Sequence, residues 1–584
     1  MFCRKNIWTR LEPIYQHLKP YVKRASQNGQ VILHQFKQSS WQCRSFAVIL
    51  SGTTLYVAYT NNRILNAAEK KKKLVILGSG WGAVSLIKSL KPGLYDVTVV
   101  SPTNYFLFTP LLPSVTVGTV DSRTLVEPIR KIIKRKHKGN DVQYFEAECT
   151  DVDSVCKKVT CQDKSGVTGE KSEFKLNYDV LVVAVGSKTA TYNKEDIEKY
   201  THKLKTIQQA QEIRKNIMDA FETAAIPGQP EQEIKRLLNF VVVGGGPTGV
   251  EFAGELRDFV ENLKKLYPPN LIDSVTVTLV NSHYKVLSMY DQEISHFVEK
   301  KFKSSGVDVI GGCYVVGMND KTIFIKNKQT KEVTLLPYGM CVWAAGIAPR
   351  EITKTMISKI PCQRNRNALV TDAFLKVKNT ENIFGIGDCA TVEFTKLLEN
   401  IENLYKQADA DGNGELKLDE FEAFLDNVSK TYPEMNQHFN KMKKSVHKTF
   451  ATLDANNDQT LSLEEFKIFL SDVDNKLKSY PATAQVASQQ GKYVATLLNK
   501  HPEILQDDHS SCVPFTYNHL GSFAYVGGER AVLQLPVIGS LTGWATMWLW
   551  RAAYLNQAVS WRMEFLIALD WIKAHALGRD TSRI

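Results

Sequence analysis

The sequence predicts an α/β protein in which one strand–turn–helix unit occurs twice. Two glycine-rich turns, at 78–83 and 244–249, each follow a short apolar run and precede a helical pattern. A segment at 396–479, with many charged residues and asparagines, interrupts the second half and predicts an inserted helical module. The chain has 584 residues, of which 43% are hydrophobic, so it can form several hydrophobic cores.

The positive charge lies almost entirely at the start of the sequence. Residues 1–73 contain thirteen Lys and Arg but only two acids, which accounts for +11 of the net charge of +12. A basic, acid-poor segment is typical of an organelle transit peptide, which we expect at 1–45, followed by an apolar sorting or anchor segment and linker at 46–71. Because the remaining residues are nearly neutral, nucleic acid is not expected as a partner.

The first glycine turn has the sequence order of a Rossmann-like dinucleotide-binding domain. A buried strand precedes it, a helix follows, and a second strand ends at Val100. Such glycines let the backbone approach a pyrophosphate, and a small fourth residue lets helix and strand pack closely. We therefore expect a nucleotide at Gly78, Gly80, Gly82 and Ala83. Ser101 stands where an acid would bind the ribose, so its hydroxyl is expected to take that role.

The second turn repeats this pattern and implies a second nucleotide. A strand at 239–243 leads into Gly244, Gly246 and Gly249, and a helix follows. An acid at the end of the next strand would bind the ribose of NADH and repel the extra phosphate of NADPH. The sequence has Asn281 there, which repels nothing, so we expect NADPH to be accepted. If Asn281 merely ends a strand, the use of NADH is unaffected.

Three further apolar strands end in glycine close to these turns, at Gly186, Gly346 and Gly387. Asp388 follows the last of them, and a carboxylate at such a position can accept hydrogen bonds from a ribityl chain. Together with the first turn, this carboxylate predicts bound FAD. The order of these elements resembles that of the two-dinucleotide-binding-domain flavoproteins, which implies NADPH or NADH at the second turn as the hydride donor.

A helix predicted from Pro481 onward places Gln485, Gln489 and Tyr493 on one stripe. Glutamine amides can donate hydrogen bonds to quinone carbonyls, whereas the spacing alone favours a polar surface stripe.

Several motifs together resemble the type II NAD(P)H:quinone oxidoreductases, which are also called alternative NADH dehydrogenases. The motifs lie at 78–82, 101–112, 342–346, 386–389 and 484–490. The resemblance implies two Rossmann-like domains of the glutathione-reductase type, FAD as sole redox cofactor, no proton pumping, and ubiquinone reduced beside Gln485 and Gln489. It also implies that Glu251 lies near the nicotinamide and assists proton movement. The alternative is an acid that the helix dipole stabilises at an N-terminus.

The segment 396–479 contains two sequences that match the twelve-residue calcium loop of an EF-hand. The predicted ligands of the first loop are Asp409, Asp411, Asn413, Glu415 and Glu420. Those of the second loop are Asp454, Asn456, Asp458, Thr460 and Glu465. Lys417 supplies no oxygen at the ninth position of the first loop, and Gln459 replaces the turn glycine of the second. The second loop is therefore expected to bind Ca²⁺ more weakly, or only to preserve a helical hairpin. Among the type II family, such an insertion resembles the external mitochondrial enzymes, which predicts calcium regulation on the intermembrane-space face of the inner membrane.

The C-terminal residues combine tryptophans with basic residues. Trp544, Trp548, Trp550, Trp561 and Trp571 alternate with cations in a region that has no long uncharged apolar run. This pattern predicts helices lying in a membrane interface, with a buried tail as the alternative. A homodimer is also expected.

The predicted domain order follows from these features. The FAD-binding domain takes 72–200 and 363–395, the NAD(P)H-binding domain 201–362, the EF-hand pair 396–479, the quinone-site helix and closing strands 480–535, and the membrane-interface helices 536–584. Two alternatives stay open. One is a flavin disulfide reductase that uses Cys156 and Cys161, which have a C-x4-C spacing but lie in an alternating, strand-like run. The other is a non-catalytic mitochondrial scaffold that binds FAD and calcium.

Overall fold

The computed structural model describes residues 71–582, apart from 138–141, 168, 394–395, 432–438, 440–441, 444–445, 477–478, 503–504, 506–511 and 537–538. The predicted transit segment at 1–45 and the apolar run at 46–59 lie outside the described residues. None of the described helices combines the length and the apolar character that crossing a bilayer requires.

The strands in chain order are β1 Lys73–Leu77, β2 Asp96–Ser101, β3 Tyr105–Leu107, β4 Val126–Pro128, β5 Val142–Asp153, β6 Lys158–Asp163, β7 Glu173–Asn177, β8 Val180–Val183, β9 Ser187–Thr189, β10 His202–Lys203, β11 Asn239–Val243, β12 Thr276–Val280, β13 Val307–Ile310, β14 Cys313–Met318, β15 Thr322–Asn327, β16 Val333–Pro337, β17 Met340–Trp343, β18 Ile347–Pro349, β19 Leu369–Thr371, β20 Ile383–Gly385, β21 Ala390–Val392, β22 Ser522–Tyr525, β23 Ala531–Leu535 and β24 Gly539–Gly543.

The α-helices in chain order are α1 Trp81–Ser89, α2 Leu112–Val115, α3 Ile129–Lys136, α4 Glu195–Tyr200, α5 Ile207–Ala224, α6 Glu231–Leu237, α7 Pro247–Leu263, α8 Pro269–Asp273, α9 Gln292–Ser305, α10 Glu351–Lys359, α11 Ile401–Ala408, α12 Leu418–Thr431, α13 Val446–Leu453, α14 Leu463–Lys476, α15 Ala484–Lys500, α16 Trp544–Gln557 and α17 Trp561–Leu577.

The first sheet carries the first glycine turn. Its strand order is β20-β8-β1-β2-β5-β6-β7, and the strands from β20 to β5 run parallel. The side chains of β1 and β8 are almost entirely buried, as expected for apolar runs in a parallel sheet covered on both faces. β20 joins this sheet although the strands of the second sheet precede it in the sequence. The chain therefore returns to the first sheet after completing the second.

The second sheet carries the second glycine turn and has the order β10-β17-β11-β12-β13, with all pairs parallel. β11 leads into α7, as β1 leads into α1. The prediction of an α/β fold with a repeated strand–turn–helix unit is therefore confirmed.

Helix α15 connects the predicted glutamine stripe to the first glycine turn. A Cβ atom on Gly491 would lie 2.2 Å from the carbonyl oxygen of Gly82, so the backbones of α15 and α1 are in direct contact. The hydroxyls of Ser85 and Ser488 lie 2.8 Å apart in the same interface. α15 begins at Ala484 rather than Pro481, because the Thr483 hydroxyl accepts the Val486 N–H as an N-cap.

The inserted segment forms a hydrophobic core of its own, which includes Phe421, Phe424, Phe466 and Phe469. Leu416 and Leu461 exchange both backbone hydrogen bonds, at 3.0 and 2.8 Å, which joins the two predicted calcium loops. The Asp474 carboxylate accepts the N–H groups of Leu397 and Leu398, both at 3.0 Å. This contact joins the last helix of the insertion to its first residues.

The run that contains Cys156 and Cys161 was expected to be one strand, and this was wrong. β5 ends at Asp153, a turn follows, and β6 begins at Lys158. The Asp153 carboxylate accepts the N–H groups of Val155 and Cys156, which stabilises the turn. Cys156 is consequently exposed, whereas Cys161 is buried opposite Cys149 of β5. The two cysteines of the disulfide-reductase alternative thus lie in different environments.

Candidate functional site

The first glycine turn has the shape that a bound dinucleotide needs. Gly78 has φ of +116°, and a Cβ atom there would lie 2.3 Å from the Ala184 carbonyl oxygen. Gly80 precedes α1, and no atom lies within 4 Å of the position that its Cβ would take. No side chain caps this helix N-terminus. The start of the helix is therefore open where the Gly80 Cβ would lie and is not capped by a side chain, which fits the pyrophosphate of FAD.

Ser101 lies at the end of β2, where an acid was expected, and is buried. Its hydroxyl donates to the Ser79 hydroxyl at 2.8 Å and accepts the Thr103 N–H at 3.3 Å. The three residues form a hydroxyl cluster beside the turn. The predicted ribose contact of Ser101 therefore has hydroxyl partners already in place.

The second turn reproduces this geometry. Gly244 has φ of +119°, and a Cβ atom on Gly249 would lie 1.9 Å from the Gly244 carbonyl oxygen. Gly246 faces open space before α7, and no side chain caps that helix. The residues at this turn fit a second pyrophosphate, that of NAD(P)H.

Asn281 lies at the end of β12 and is buried against the second turn. Its side-chain oxygen accepts the Gly245 N–H at 3.3 Å, and its amide nitrogen donates to the Lys285 carbonyl at 2.8 Å. The amide thereby holds the glycine turn and the loop after β12 together. This position has no negative charge to repel a 2′-phosphate.

The three glycines at strand ends all have the left-handed conformation. The φ angles are +67° at Gly186, +75° at Gly346 and +73° at Gly387. Asp388 follows Gly387, and its carboxylate accepts the Ser187 hydroxyl at 2.8 Å and lies 3.6 Å from the Lys205 ammonium. The geometry thus brings Asp388 to the same end of the sheet as the first turn.

Gln490 and Lys205 are site residues that sequence reasoning missed. The buried Gln490 side-chain oxygen accepts the Gly387 N–H at 2.7 Å, and the Lys205 ammonium donates to the Ser187 hydroxyl at 2.9 Å. Gln490 directly follows Gln489 in the sequence but lies on the buried face of α15, away from the predicted stripe.

Glu251 lies in α7 and is buried, with 7% exposure. Burial raises the pKa of its carboxyl to about 8, although the Tyr525 N–H that it accepts at 3.3 Å acts in the opposite direction. The side chains of Tyr290, Trp550 and Tyr554 also interact with it. A carboxyl with this pKa can take up and release a proton near neutral pH.

The amides of Gln485 and Gln489 both hydrogen-bond to the loop that precedes β22. Gln485 donates to the Gly521 carbonyl at 2.9 Å, and Gln489 donates to the Asn518 carbonyl at 2.8 Å and accepts the Asn518 N–H at 2.9 Å. The Tyr517 hydroxyl donates to the Gln485 side-chain oxygen at 3.2 Å and lies 3.0 Å from His519 Nδ1. The glutamine stripe therefore positions residues 517–521, and sequence spacing alone could not have shown this.

The first predicted calcium loop brings its acids together. Oxygen atoms of Asp409, Asp411 and Glu420 all lie within 4.8 Å of one another. Gly414 has φ of +82° at the sharp turn. The Lys417 ammonium, however, binds the Asp411 carboxylate at 2.8 Å. The loop thus places a cation of its own beside an expected ligand.

In the second loop, as in the first, acidic side chains accept hydrogen bonds from backbone N–H groups of the same loop. Gln459 takes the left-handed φ of +67° that glycine would adopt without strain. The Asp454 carboxylate accepts the N–H groups of Asp458 and Gln459, at 3.1 and 3.0 Å. The Glu465 carboxylate accepts the Ala455 and Ser462 N–H groups, at 3.0 and 2.9 Å.

Comparison with known proteins identifies the family. Residues 72–412 match the family model of pyridine nucleotide-disulphide oxidoreductases, and residues 519–580 match that of the NDH2 C-terminal domain. The mitochondrial external alternative NAD(P)H-ubiquinone oxidoreductase B1 of Solanum tuberosum is 42% identical over 88% of this chain and 91% of that protein. The B3 protein of Arabidopsis thaliana is 42% identical over 90% of this chain and 93% of that protein.

Solved structures agree with this result. NDH2 from Plasmodium falciparum in complex with NADH superposes with a TM-score of 0.77 at 30% identity, covering 88% of this chain and 100% of that chain. The sulfide:quinone oxidoreductase of Aquifex aeolicus, with a TM-score of 0.55 at 16% identity over 87% of this chain and 96% of that chain, shares the fold. The chain belongs to the family of external alternative NAD(P)H-ubiquinone oxidoreductases, the type II NADH dehydrogenases.

Proposed function

We propose that the protein is a mitochondrial flavoenzyme that oxidises NADH or NADPH and reduces ubiquinone without pumping protons. The observation that carries this proposal is the direct contact between α1 and α15 at Gly82 and Gly491. The contact joins the turn that fits FAD to the helix of the glutamine stripe. The names of the relatives, NAD(P)H-ubiquinone oxidoreductases, support the same reaction.

FAD, when bound, accepts a hydride and passes two electrons to an acceptor. The chain's own residues position the reactants around it. Gly78, Gly80, Gly82 and Ala83 hold the pyrophosphate, and Ser101 the ribose. Asp388, with Gly186 and Gly387, receives the ribityl chain.

The second turn, with Gly244, Gly246, Gly249 and Gly346, binds the nicotinamide coenzyme. The site accepts NADPH as well as NADH because the Asn281 amide carries no charge. Hydrogen bonds to Gly245 and Lys285 hold this amide in place. Glu251 lies on the following helix, where it exchanges a proton during the reaction.

Ubiquinone is reduced beside α15. Gln485 and Gln489 shape this site by holding residues 517–521, since their amides already bond to the backbone of that loop. This modifies the expectation that the two amides donate directly to the quinone.

The inserted segment is a pair of EF-hands that binds Ca²⁺ through both loops and regulates the enzyme. The convergence of Asp409, Asp411 and Glu420, and the backbone pairing of Leu416 with Leu461, support this assignment. Its position directly before α15 lets calcium act on the quinone side of the enzyme.

The C-terminal helices bind the inner membrane from the intermembrane-space face, and the enzyme forms a homodimer. Met563, Ile567 and Trp571 of α17 are buried. The opposite face of the same helix exposes Trp561, Phe565, Leu569 and Ile572. A helix with one apolar face packed on the protein and another exposed suits a lipid interface.

The proposal is tested by measuring NADPH and NADH oxidation with a short-chain ubiquinone, at buffered free calcium and with a chelator. We expect quinone reduction with both coenzymes and a higher rate with calcium. A double variant, Glu420→Gln with Glu465→Gln, serves as the calcium-insensitive control. Rates that are equal with and without chelator would remove the regulatory role, and absent quinone reduction would favour the non-catalytic scaffold.

A further inference from the structure

A cleft of about 300 Å³ lies between α7 and the two C-terminal helices. Acidic, basic and aromatic side chains line it, among them Glu255, Asp258, Glu261, Tyr525, Trp550 and Arg579. The small side chain of Ala574 in α17 also lines it. The cleft contains none of the residues assigned above to the nucleotides, the glutamine stripe or calcium. Its inner wall includes Tyr525 and Trp550, which are also neighbours of Glu251.

The cleft is adjacent to a row of acids on one face of α7. Glu251, Glu255 and Asp258 are spaced four and three residues apart, so they share that face. Glu251 and Glu255 are 7% and 4% exposed, and Asp258 is half-buried. The row thus runs from a buried carboxyl to one that lines the cleft.

The outer two acids are held in place by Arg579 and hydroxyl groups. Arg579 lies 2.9 Å from the Glu255 carboxylate and 3.8 Å from that of Asp258. Ser114 donates to Glu255 at 2.7 Å, and the Tyr525 hydroxyl donates to Asp258 at 2.5 Å. These contacts satisfy the carboxyl oxygens of Glu255 and Asp258, although burial raises the pKa of Asp258.

Glu251 has no such cation among the described residues. The groups that act on it are the neighbouring Glu255, the Tyr525 N–H and the side chains of Trp550, Tyr290 and Tyr554. Burial therefore dominates, and it favours a protonated carboxyl.

Two residues connect the cleft to Glu251. The Tyr525 hydroxyl faces Asp258 while its backbone N–H donates to Glu251. The buried Trp550 side chain lines the cleft and also interacts with the Glu251 carboxyl. Charged side chains on the other walls make the cleft polar, and a cavity of this volume can hold several water molecules.

The proposed reaction requires a proton from solvent. NAD(P)H delivers a hydride, which carries two electrons and one hydrogen nucleus, whereas a quinone needs two electrons and two protons to become a quinol. One proton per turnover must therefore enter the protein.

We propose that this cleft is the entry for that proton, with Asp258 and Tyr525 at its mouth and Glu251 as the acceptor at its inner end. The inference rests on the proposed quinone reductase function. It assigns Asp258 and Tyr525 a positioning role for water, because neither side chain is among those assigned above to the coenzymes or the quinone.

The test compares two electron acceptors in the FAD-loaded full-length enzyme. A short-chain ubiquinone takes up protons with its electrons, whereas ferricyanide takes electrons only. Asp258→Asn removes the carboxylate at the entrance of the proposed proton path. Ala574→Phe fills the cleft with a larger side chain and does not change its charge. We expect each variant to lower the ratio of the quinone rate to the ferricyanide rate by about a hundredfold, which is the lower end of what one assisted proton transfer contributes.

Two controls match these variants. Glu261→Gln removes a carboxylate that lines the same cleft but pairs with Arg257 and Lys264. Ala576→Phe adds the same bulk on the exposed side of α17. Both should leave the ratio of rates unchanged. A ratio that is unchanged in Asp258→Asn and Ala574→Phe would overturn the proposal, as would an equal loss with both acceptors.

An infrared measurement separates this proposal from the proposed function, because it needs no acceptor. The carboxylic acid band of Glu251 is identified by its loss in Glu251→Gln, and its shift on transfer into D2O is timed. We expect Ala574→Phe to slow this shift about tenfold relative to Ala576→Phe, as a blocked proton path would. Equal exchange rates would overturn the proposal even if quinone reduction is intact.

Discussion

At the scale of single residues, Glu251 combines deep burial with a position next to a predicted nicotinamide site. A carboxyl that stays protonated near neutral pH is suited to general acid–base catalysis. Its ionisation in the folded protein costs free energy, because the charge is buried.

Replacing Glu251 with glutamine is expected to stabilise the protein in a pH-dependent way. Below the ordinary carboxyl pKa of 4.5, Glu251 is protonated in both folded and unfolded chains, so the replacement has little effect. Between pH 4.5 and about 8, the unfolded chain ionises and the folded site does not, which destabilises the native enzyme. We therefore expect the gain in Tm to grow over this range and to level off above it. Thermal melting of both proteins from pH 5 to 9 measures this gain, and a constant difference would contradict it.

Replacing Asn281 with aspartate is expected to lower kcat/KM for NADPH by about tenfold or more, because nearby like charges repel by roughly 1–4 kcal/mol. The value for NADH should fall much less. Asn281→Ala, which loses the hydrogen bonds to Gly245 and Lys285 without adding charge, is the control. Equal losses for the two coenzymes in Asn281→Asp would assign Asn281 a purely structural role.

At the scale of elements, the first predicted calcium loop contains a cation that would compete with Ca²⁺. The Lys417 ammonium forms a salt bridge with the Asp411 carboxylate. Ca²⁺ would have to break this salt bridge to bind Asp411. We expect Lys417→Ser to lower the calcium Kd by about tenfold, because loop affinity depends on ligand charge. Calorimetric titration measures the Kd. Lys406→Ser makes the same charge change on exposed α11, outside the loop, and an equal effect there would contradict this explanation.

The exposed apolar face of α17 leads to a second prediction for an element. Phe565→Ser combined with Ile572→Ser removes two side chains that are 58% and 64% exposed, so folding should be little affected. Binding to anionic vesicles should weaken at least tenfold, since each apolar side chain contributes about 1.5–3 kcal/mol on burial. Val333→Ser with Leu335→Ser, also exposed but on β16, is the control. Unchanged sedimentation with vesicles would favour a dimer interface on this face.

At the scale of the whole molecule, the two nucleotide units and the glutamine helix depend on close backbone contacts. Gly491→Ala would place a Cβ atom 2.2 Å from the Gly82 carbonyl oxygen. We expect this variant to lose FAD during purification as well as quinone reductase activity, because α1 must move. The flavin-to-protein absorbance ratio measures the loss. Gly166→Ala, in open space, is the matched control, and full FAD retention in Gly491→Ala would show that the helices can separate.

The sequence predicted the parts of the molecule whose signals are local. Gly78 and Gly244 were predicted to make turns between a buried strand and a helix, and both do so with a positive φ. The contacts that sequence could not predict join distant segments. Arg579 reaches Glu255, Gln490 reaches Gly387, and the amide of Gln489 bonds to Asn518. The prediction of one strand through Cys156 was wrong because the alternation of polar and apolar residues continues across the tight hairpin between β5 and β6.

The inserted module has a consequence for how this enzyme could have arisen. Its hydrophobic core is separate, and the Asp474 carboxylate binds Leu397 and Leu398 where the module begins. When the two ends of a segment lie close together, the segment can be inserted or deleted without changing the path of the rest of the chain. The calcium control proposed for this module is thus a property that evolution can add to, or delete from, an otherwise complete quinone reductase.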